Sequence, residues 1–257
     1  MPLANLENNL QLNYQWVNET ADGHTILFLH EALGSIPQWK DFPELLCEAT
    51  NTKGLIYERQ GYGTSSPLNK KRTREYLHDY ALKELPAFLK AIGQSEPLVL
   101  FGHSDGGSIA LLFASVYPHL VKALIVEAAH IFVEPETLKG IQPAKKLYTS
   151  TSFKRKLEKY HADKTDDVFY SWYNTWLSAE FKHWNIETHL SSIKAPIVVL
   201  QGSEDEYGTL KQVNSIIDQV ASVQKSQHII GKCGHVPHLK AKEEVVRLSE
   251  DFLRTIK

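Results

Sequence analysis

Ser104, Asp205 and His235 are the residues of this chain whose types and settings suit nucleophilic chemistry. Ser104 lies in Gly102-His103-Ser104-Asp105-Gly106, the pattern G-x-S-x-G, with apolar residues before it and small and aliphatic residues after it. Between a strand and a helix, that pattern puts the serine on a tight turn with its hydroxyl above the sheet. The helix then turns its N-terminal amides toward charge developing on a reacting carbonyl. A serine hydroxyl is a weak nucleophile near neutral pH; it needs a base, and the base needs a carboxylate to orient it. Asp205 in LQGSEDEYG (200–208) and His235 in GKCGHVPH (231–238) each follow a strand-like run and supply these groups. Glu204 and Glu206 flank Asp205, and Glu127 ends an earlier apolar run, so these carboxylates compete for the orienting role. His228, Cys233, His235 and His238 fit no zinc-ligand spacing, and neither a metal nor another cofactor is expected.

Such residues meet only if the intervening elements bring them together. Leu10, Leu12, Tyr14 and Trp16 alternate with polar residues, the period of a half-buried strand. Further strands are predicted at 24–30, at 54–63 running into a glycine-rich loop, and at 96–103, 121–129, 195–202 and 226–231. Helical spacing occupies 37–49, 73–93, the stretch after Ser104, 208–221 and 240–256. Strands alternating with helices predict an α/β fold with a mainly parallel sheet covered on both faces. Residues 130–190 break the alternation and hold Trp172, Tyr173, Trp176, Phe181 and Trp184. A helical insertion over the sheet is expected there, dividing the chain into a core (1–129 and 191–257) and a lid (130–190). Its aromatic rings either line a cavity beneath it or form its own small core. Trp172, Trp176 and His130 are the candidate substrate contacts, and Glu134 is another group that could face a pocket.

FLHEALGS (28–35), YERQGYGTSS (57–66), GHSDGG (102–107), QGSEDEYG (201–208) and CGHVPH (233–238) together make the chain resemble the α/β-hydrolase fold superfamily over nearly its whole length. The order serine, acid, histidine is that of this superfamily. The resemblance implies an eight-stranded, mostly parallel sheet flanked by helices, with a helical lid after the sixth strand. It implies Ser104 as nucleophile, His235 as general base and then acid, and Asp205 as the group orienting His235. An oxyanion hole would be formed by the N–H groups of Asp105 and of Ala32, the latter favoured over Leu33. The chain departs from the superfamily's common His-Gly pair, because Glu31 follows His30. His30 is expected to bond backbone and shape that loop, and His103 to be a packing residue. The implied reaction is hydrolysis of a small to medium apolar ester-like substrate through an acyl-enzyme. C–C bond hydrolase, thioesterase and lactonase are the alternatives on the same triad, and a ligand-binding receptor with negligible turnover is the alternative outside enzymes.

Composition narrows the partners. Lys and Arg number 28 against 30 Asp and Glu, a formal net charge of −2, so no basic footprint for nucleic acid is present. Two cysteines are too few for a disulfide framework. MPLANLENNL has no leader pattern, and no run of about 18 apolar residues suggests a membrane span. A cytoplasmic protein acting on a small molecule, monomeric or homodimeric, is the expectation.

Overall fold

Strands form where the apolar runs lie: β1 (Leu3–Asn5), β2 (Gln11–Val17), β3 (Thr25–Leu29), β4 (Lys53–Tyr57), β5 (Leu98–His103), β6 (Val121–Glu127), β7 (Ile197–Gly202) and β8 (Lys225–Ile230). In the computed structural model, which describes residues 2–256, they build one sheet in the order β1-β2-β4-β3-β5-β6-β7-β8. The β1–β2 and β2–β4 pairs are antiparallel and the other five pairs are parallel.

Alternation along the central strands feeds two cores. Ile26, Phe28, Val99, Phe101, Ile125 and Val198 face α1 (Phe42–Thr50) and the C-terminal helix, Lys242–Leu253. Leu27, Leu29, Leu100, Leu124, Val126 and Val199 face the opposite way. There they meet α2 (Tyr76–Asp79), α3 (Leu85–Ala91), α4 (Asp105–Val116) and the later helix Leu210–Gln219. Ten of the twelve residues of α4 are buried, as a helix packed on all sides requires.

One expectation is corrected. The helix predicted over 73–93 starts at Tyr76 and widens into a π turn at Tyr80–Glu84 before α3. Pro86 has no N–H to give the Leu82 carbonyl, so the ladder must reorganise there. The freed Leu82 carbonyl accepts the Tyr117 hydroxyl at 3.1 Å. As the sequence suggests, the strand that opens 54–63 runs into a glycine-rich loop: β4 ends at Tyr57, and Gly61 and Gly63 take positive φ beyond it. The edge strand β1, three residues long, has no signal of its own in the sequence.

Between β6 and β7 the chain forms α5 (Pro135–Ile141), α6 (Ala144–Ser150), α7 (Phe153–His161), α8 (Thr165–Trp176) and α9 (Glu187–Leu190). A single antiparallel bridge, Phe132 to Asn185, draws the two ends of this segment together. Tyr148 stacks on Phe169 at 3.8 Å and Phe181 on Trp184 at 5.3 Å, so part of the aromatic set forms the segment's own core. The remaining helices are α10 (Leu210–Gln219), α11 (Pro237–Lys240) and α12 (Lys242–Leu253). Among the described residues no helix is long and apolar enough to cross a membrane.

Close backbone approach sets the junction of β3, β5 and α4. A Cβ on Gly106 would lie 1.9 Å from the Leu29 carbonyl oxygen, and one on Gly102 would lie 2.4 Å from the Gly106 oxygen. Backbone cannot yield as a side chain can. Gly106→Ala should therefore lower stability by about 1–3 kcal/mol, the usual range for overpacking. Thermal unfolding checks this, and an unchanged melting temperature would refute the close-approach argument.

Candidate active site

Ser104 stands at the end of β5 with φ 54° and ψ −118°, outside the regions an L-residue favours. Such a conformation costs on the order of 1–3 kcal/mol and persists only where its surroundings hold it. Ser104 N–H donates to the Glu127 carbonyl at 2.9 Å, while its carbonyl accepts N–H from Gly107 and Ser108 at 2.9 and 3.1 Å. Burial of Ile109, Leu111, Leu112 and Phe113 on α4, at about 1.5–3 kcal/mol each, outweighs the strain.

His235 reaches Ser104 from the loop before α11. Its Nε2 lies 2.9 Å from Ser104 Oγ, and its Nδ1 lies 2.9 and 3.0 Å from the two Asp205 oxygens. A carboxylate can only accept, so Nδ1 carries the proton and Nε2 is left to accept from the serine hydroxyl. Asp205 is itself fixed by N–H groups of Tyr207 and Gly208, at 2.9 and 3.2 Å. The other carboxylates have different partners. Glu206 accepts the His235 main-chain N–H at 3.1 Å, and Glu127 is bonded to His238. The structure thus pairs Asp205 with His235, as the sequence order suggests.

Opposing effects act on the imidazole. Burial disfavours its charged form, yet the Asp205 carboxylate, then Glu31 and Glu206, raise its pKa above the ordinary value. Burial likewise works to raise Asp205, but His235 and the Tyr207 N–H hold it below the usual carboxylate range. The arrangement can pass a proton from Ser104 to His235 and stabilise the resulting imidazolium.

A cavity of about 260 Å³ opens onto Ser104 and His235. Its inner wall includes Glu31, Ala32, Asp105 and His130, and Trp172, Trp176 and Ile141 close it from the helical segment. His130 Nε2 bonds the Tyr207 carbonyl at 3.0 Å, and its ring lies against those of Trp176 and His235. Glu134 is not in the wall. It is buried against α10, accepting from Thr209 N–H, Thr209 Oγ1 and Gln212 Nε2, because that helix start has donors to satisfy. A larger depression of about 740 Å³ lies outside α3 and the 68–73 loop, but neither Ser104 nor His235 borders it.

Several site residues had no signature in the sequence. Arg59, buried after β4, donates through Nη1 and Nη2 to the carbonyls of His30 and Glu31, at 2.5 and 2.8 Å. Its own N–H donates to His30 Nε2 at 3.3 Å, while His30 Nδ1 bonds the Glu31 carbonyl at 2.8 Å. The loop after β3 is thus held without a glycine at position 31, and Glu31 is not among the described residues with positive φ. Glu31 is among the residues lining the cavity, and burial raises the pKa of its carboxylate. Tyr76 donates to the Asp105 carboxylate at 2.7 Å and accepts from Trp176 Nε1 at 2.9 Å, tying α2, α4 and α8 together.

Fold and site define a serine hydrolase of the α/β-hydrolase superfamily. A family model described as serine aminopeptidase, S33, matches residues 44–240, and the chain belongs to that family. Serine hydrolase BPHL of Homo sapiens is 27% identical over 262 residues, covering 96% of this chain and 84% of that protein. The 2-hydroxy-6-oxo-6-phenylhexa-2,4-dienoate hydrolase of Comamonas testosteroni is 23% identical, covering 92% of this chain and 90% of its own length. Among solved structures, a thermophilic esterase from Thermogutta terrifontis superposes with a TM-score of 0.70 at 17% identity, covering 99% and 98% of the two chains. The protein is a hydrolase.

Asp205 is the main group raising the His235 pKa, against the burial that lowers it. Asp205→Asn should therefore lower the pKa of the His235 imidazole. NMR titration of the ring nitrogens reads this directly; an unmoved midpoint would show that Asp205 does not set the charge of His235.

Proposed function

We propose that this hydrolase cleaves small to medium ester-like substrates through an acyl-enzyme formed on Ser104. The observation that carries the reading is the continuous chain Ser104 Oγ to His235 Nε2 (2.9 Å) and His235 Nδ1 to Asp205 (2.9 Å). His235 takes the Ser104 proton as the oxygen attacks the carbonyl, and then protonates the leaving group. Water repeats the sequence on the acyl-enzyme, with His235 again as base. Asp105 and Ala32 are among the residues lining the cavity, and their N–H groups are the oxyanion donors in this reading. The five helices between β6 and β7 act as the lid, with Trp172, Trp176 and His130 contacting substrate.

Charge on the cavity wall refines the substrate. Glu31 and Asp105 line it, and no lysine or arginine does. A substrate carboxylate about 6 Å from either would meet a penalty of about 3 kcal/mol at an effective dielectric of 20. Neutral or amine-bearing acyl groups therefore fit better than anions. This favours an ester over a dienoate of the kind for which the Comamonas relative is named.

Intact-mass measurement after treatment with a fluorophosphonate should give one adduct on the wild type and none on Ser104→Ala. A folded wild type that takes no adduct would overturn the reading, and acylation without turnover would favour a receptor. With p-nitrophenyl esters, Ser104→Ala should lose up to ~10⁶ in kcat. The wild type should hydrolyse p-nitrophenyl acetate at least tenfold better, in kcat/KM, than the hemisuccinate, and Glu31→Gln should narrow that gap. Equal rates on the two esters would remove the charge argument.

A further inference from the structure

Behind His235 lies a second carboxylate–histidine pair that the triad does not use. Glu127, the last residue of β6, and His238, on α11, are both buried. Glu127 Oε1 lies 2.5 Å from His238 Nδ1, and Oε2 accepts the His238 main-chain N–H at 3.1 Å. The Glu127 carbonyl is also the acceptor for Ser104 N–H. One residue therefore grips both the turn that carries the nucleophile and the loop that carries the base. His103 closes the set: its Nε2 donates to the His235 carbonyl at 2.8 Å and lies 3.8 Å from Glu127 Oε1. Its ring contacts those of His235 and His238 at 5.2 and 4.8 Å, and Trp39 backs His238 at 4.7 Å. His103, Glu127 and His238 offer ligand-type atoms within 4.8 Å of one another, and His103 Nε2 bonds the His235 carbonyl while His238 Nδ1 bonds Glu127.

We propose that Glu127 is a positioning residue for His235, holding the Cys233–His238 loop against Ser104 through His238 and His103. The proposal rests on the acyl-enzyme reading above. Burial pushes Glu127 up to about 7 and lowers His103 and His238 to about 3, so within this set only Glu127 changes charge near neutrality. The groups that face Glu127 are His103 from β5, His235, Cys233 and His238 from the loop and α11, and Asp205 from the β7–α10 connection. His235 is faced in addition by Glu31, Glu206 and His130. An ionised Glu127 stabilises imidazolium, so it raises the pH at which His235 becomes a base. Below the pKa of Glu127 that contribution disappears, which couples the two ionisations.

The test is the pH dependence of the second-order rate of fluorophosphonate labelling at Ser104. Glu127→Gln keeps the shape of the acceptor without the charge. Its acid limb should move down by about 0.5–1 pH unit, as expected for a charge several ångströms away in a partly polar interior. Its plateau rate should fall about tenfold as the loop loosens. An unmoved limb and plateau would overturn the proposal. If that variant fails to fold, Glu127→Asp keeps the charge but draws it back from His238; it should hold the wild-type limb with a lowered plateau, and a wild-type plateau would overturn the proposal. A folded wild type that does not label would sink the acyl-enzyme reading instead. The positioning claim is then read from NMR titration of His235 in Glu127→Gln, where an unchanged midpoint refutes it.

Discussion

The backbone of Ser104, held at φ 54° where β5 gives way to α4, is the constraint on which the rest of the site depends. It exists because Gly102 and Gly106 let the start of α4 come within contact of the ends of β3 and β5. The same closeness sets Asp105 among the residues that line the cavity, with Ala32 and Leu33 of the loop after β3. Strain of on the order of 1–3 kcal/mol is small beside the burial of α4 in the sheet, so packing and not local preference decides the conformation.

Around that turn the electrostatics are balanced by carboxylates. Burial alone would make His235 a weak base, and Asp205, Glu31 and Glu206 reverse that by favouring its charged form. Burying so much negative charge is costly unless each carboxylate has donors. Asp205 has the amides of Tyr207 and Gly208, Glu206 has the His235 amide, and Asp105 has Tyr76. Arg59 adds a fixed cation behind the loop, where it spends its hydrogen bonds on the His30 and Glu31 carbonyls.

The helical segment divides its aromatics between two tasks. Tyr148 stacks on Phe169 and Phe181 on Trp184, while Trp172 and Trp176 line the cavity and also pack against Phe169 and against Phe181 and Trp184. Trp176 is held in place by its N–H to Tyr76, which also binds Asp105, so the cavity ceiling is linked by two hydrogen bonds to the residue after the nucleophile. His161 extends this docking: its Nε2 bonds the Leu33 carbonyl at 2.9 Å and its Nδ1 accepts the Gly63 N–H at 3.0 Å.

The α/β alternation and the turn at Gly102–Gly106 were legible in the chain, because each is written in short runs, whereas Ser104, Asp205 and His235 were candidates by motif and chain order alone. Periodicity of 2 or 3.6 residues marks the elements, and glycines mark the place where a turn must be tight. Choosing Asp205 over Glu204, Glu206 and Glu127 rested on order, and only the fold shows Glu127 turned to His238 and Glu206 to a main-chain amide. Glu134, a candidate by sequence position, went to the start of α10. The three-residue β1, the π turn ahead of Pro86 and the Arg59 clamp likewise left no pattern to read. A periodic run reports which residues share a face. A hydrogen bond between Arg59 and His30, or across the 111 residues between Glu127 and His238, depends on how whole elements are stacked, and that geometry is decided only when the sheet closes around its cores.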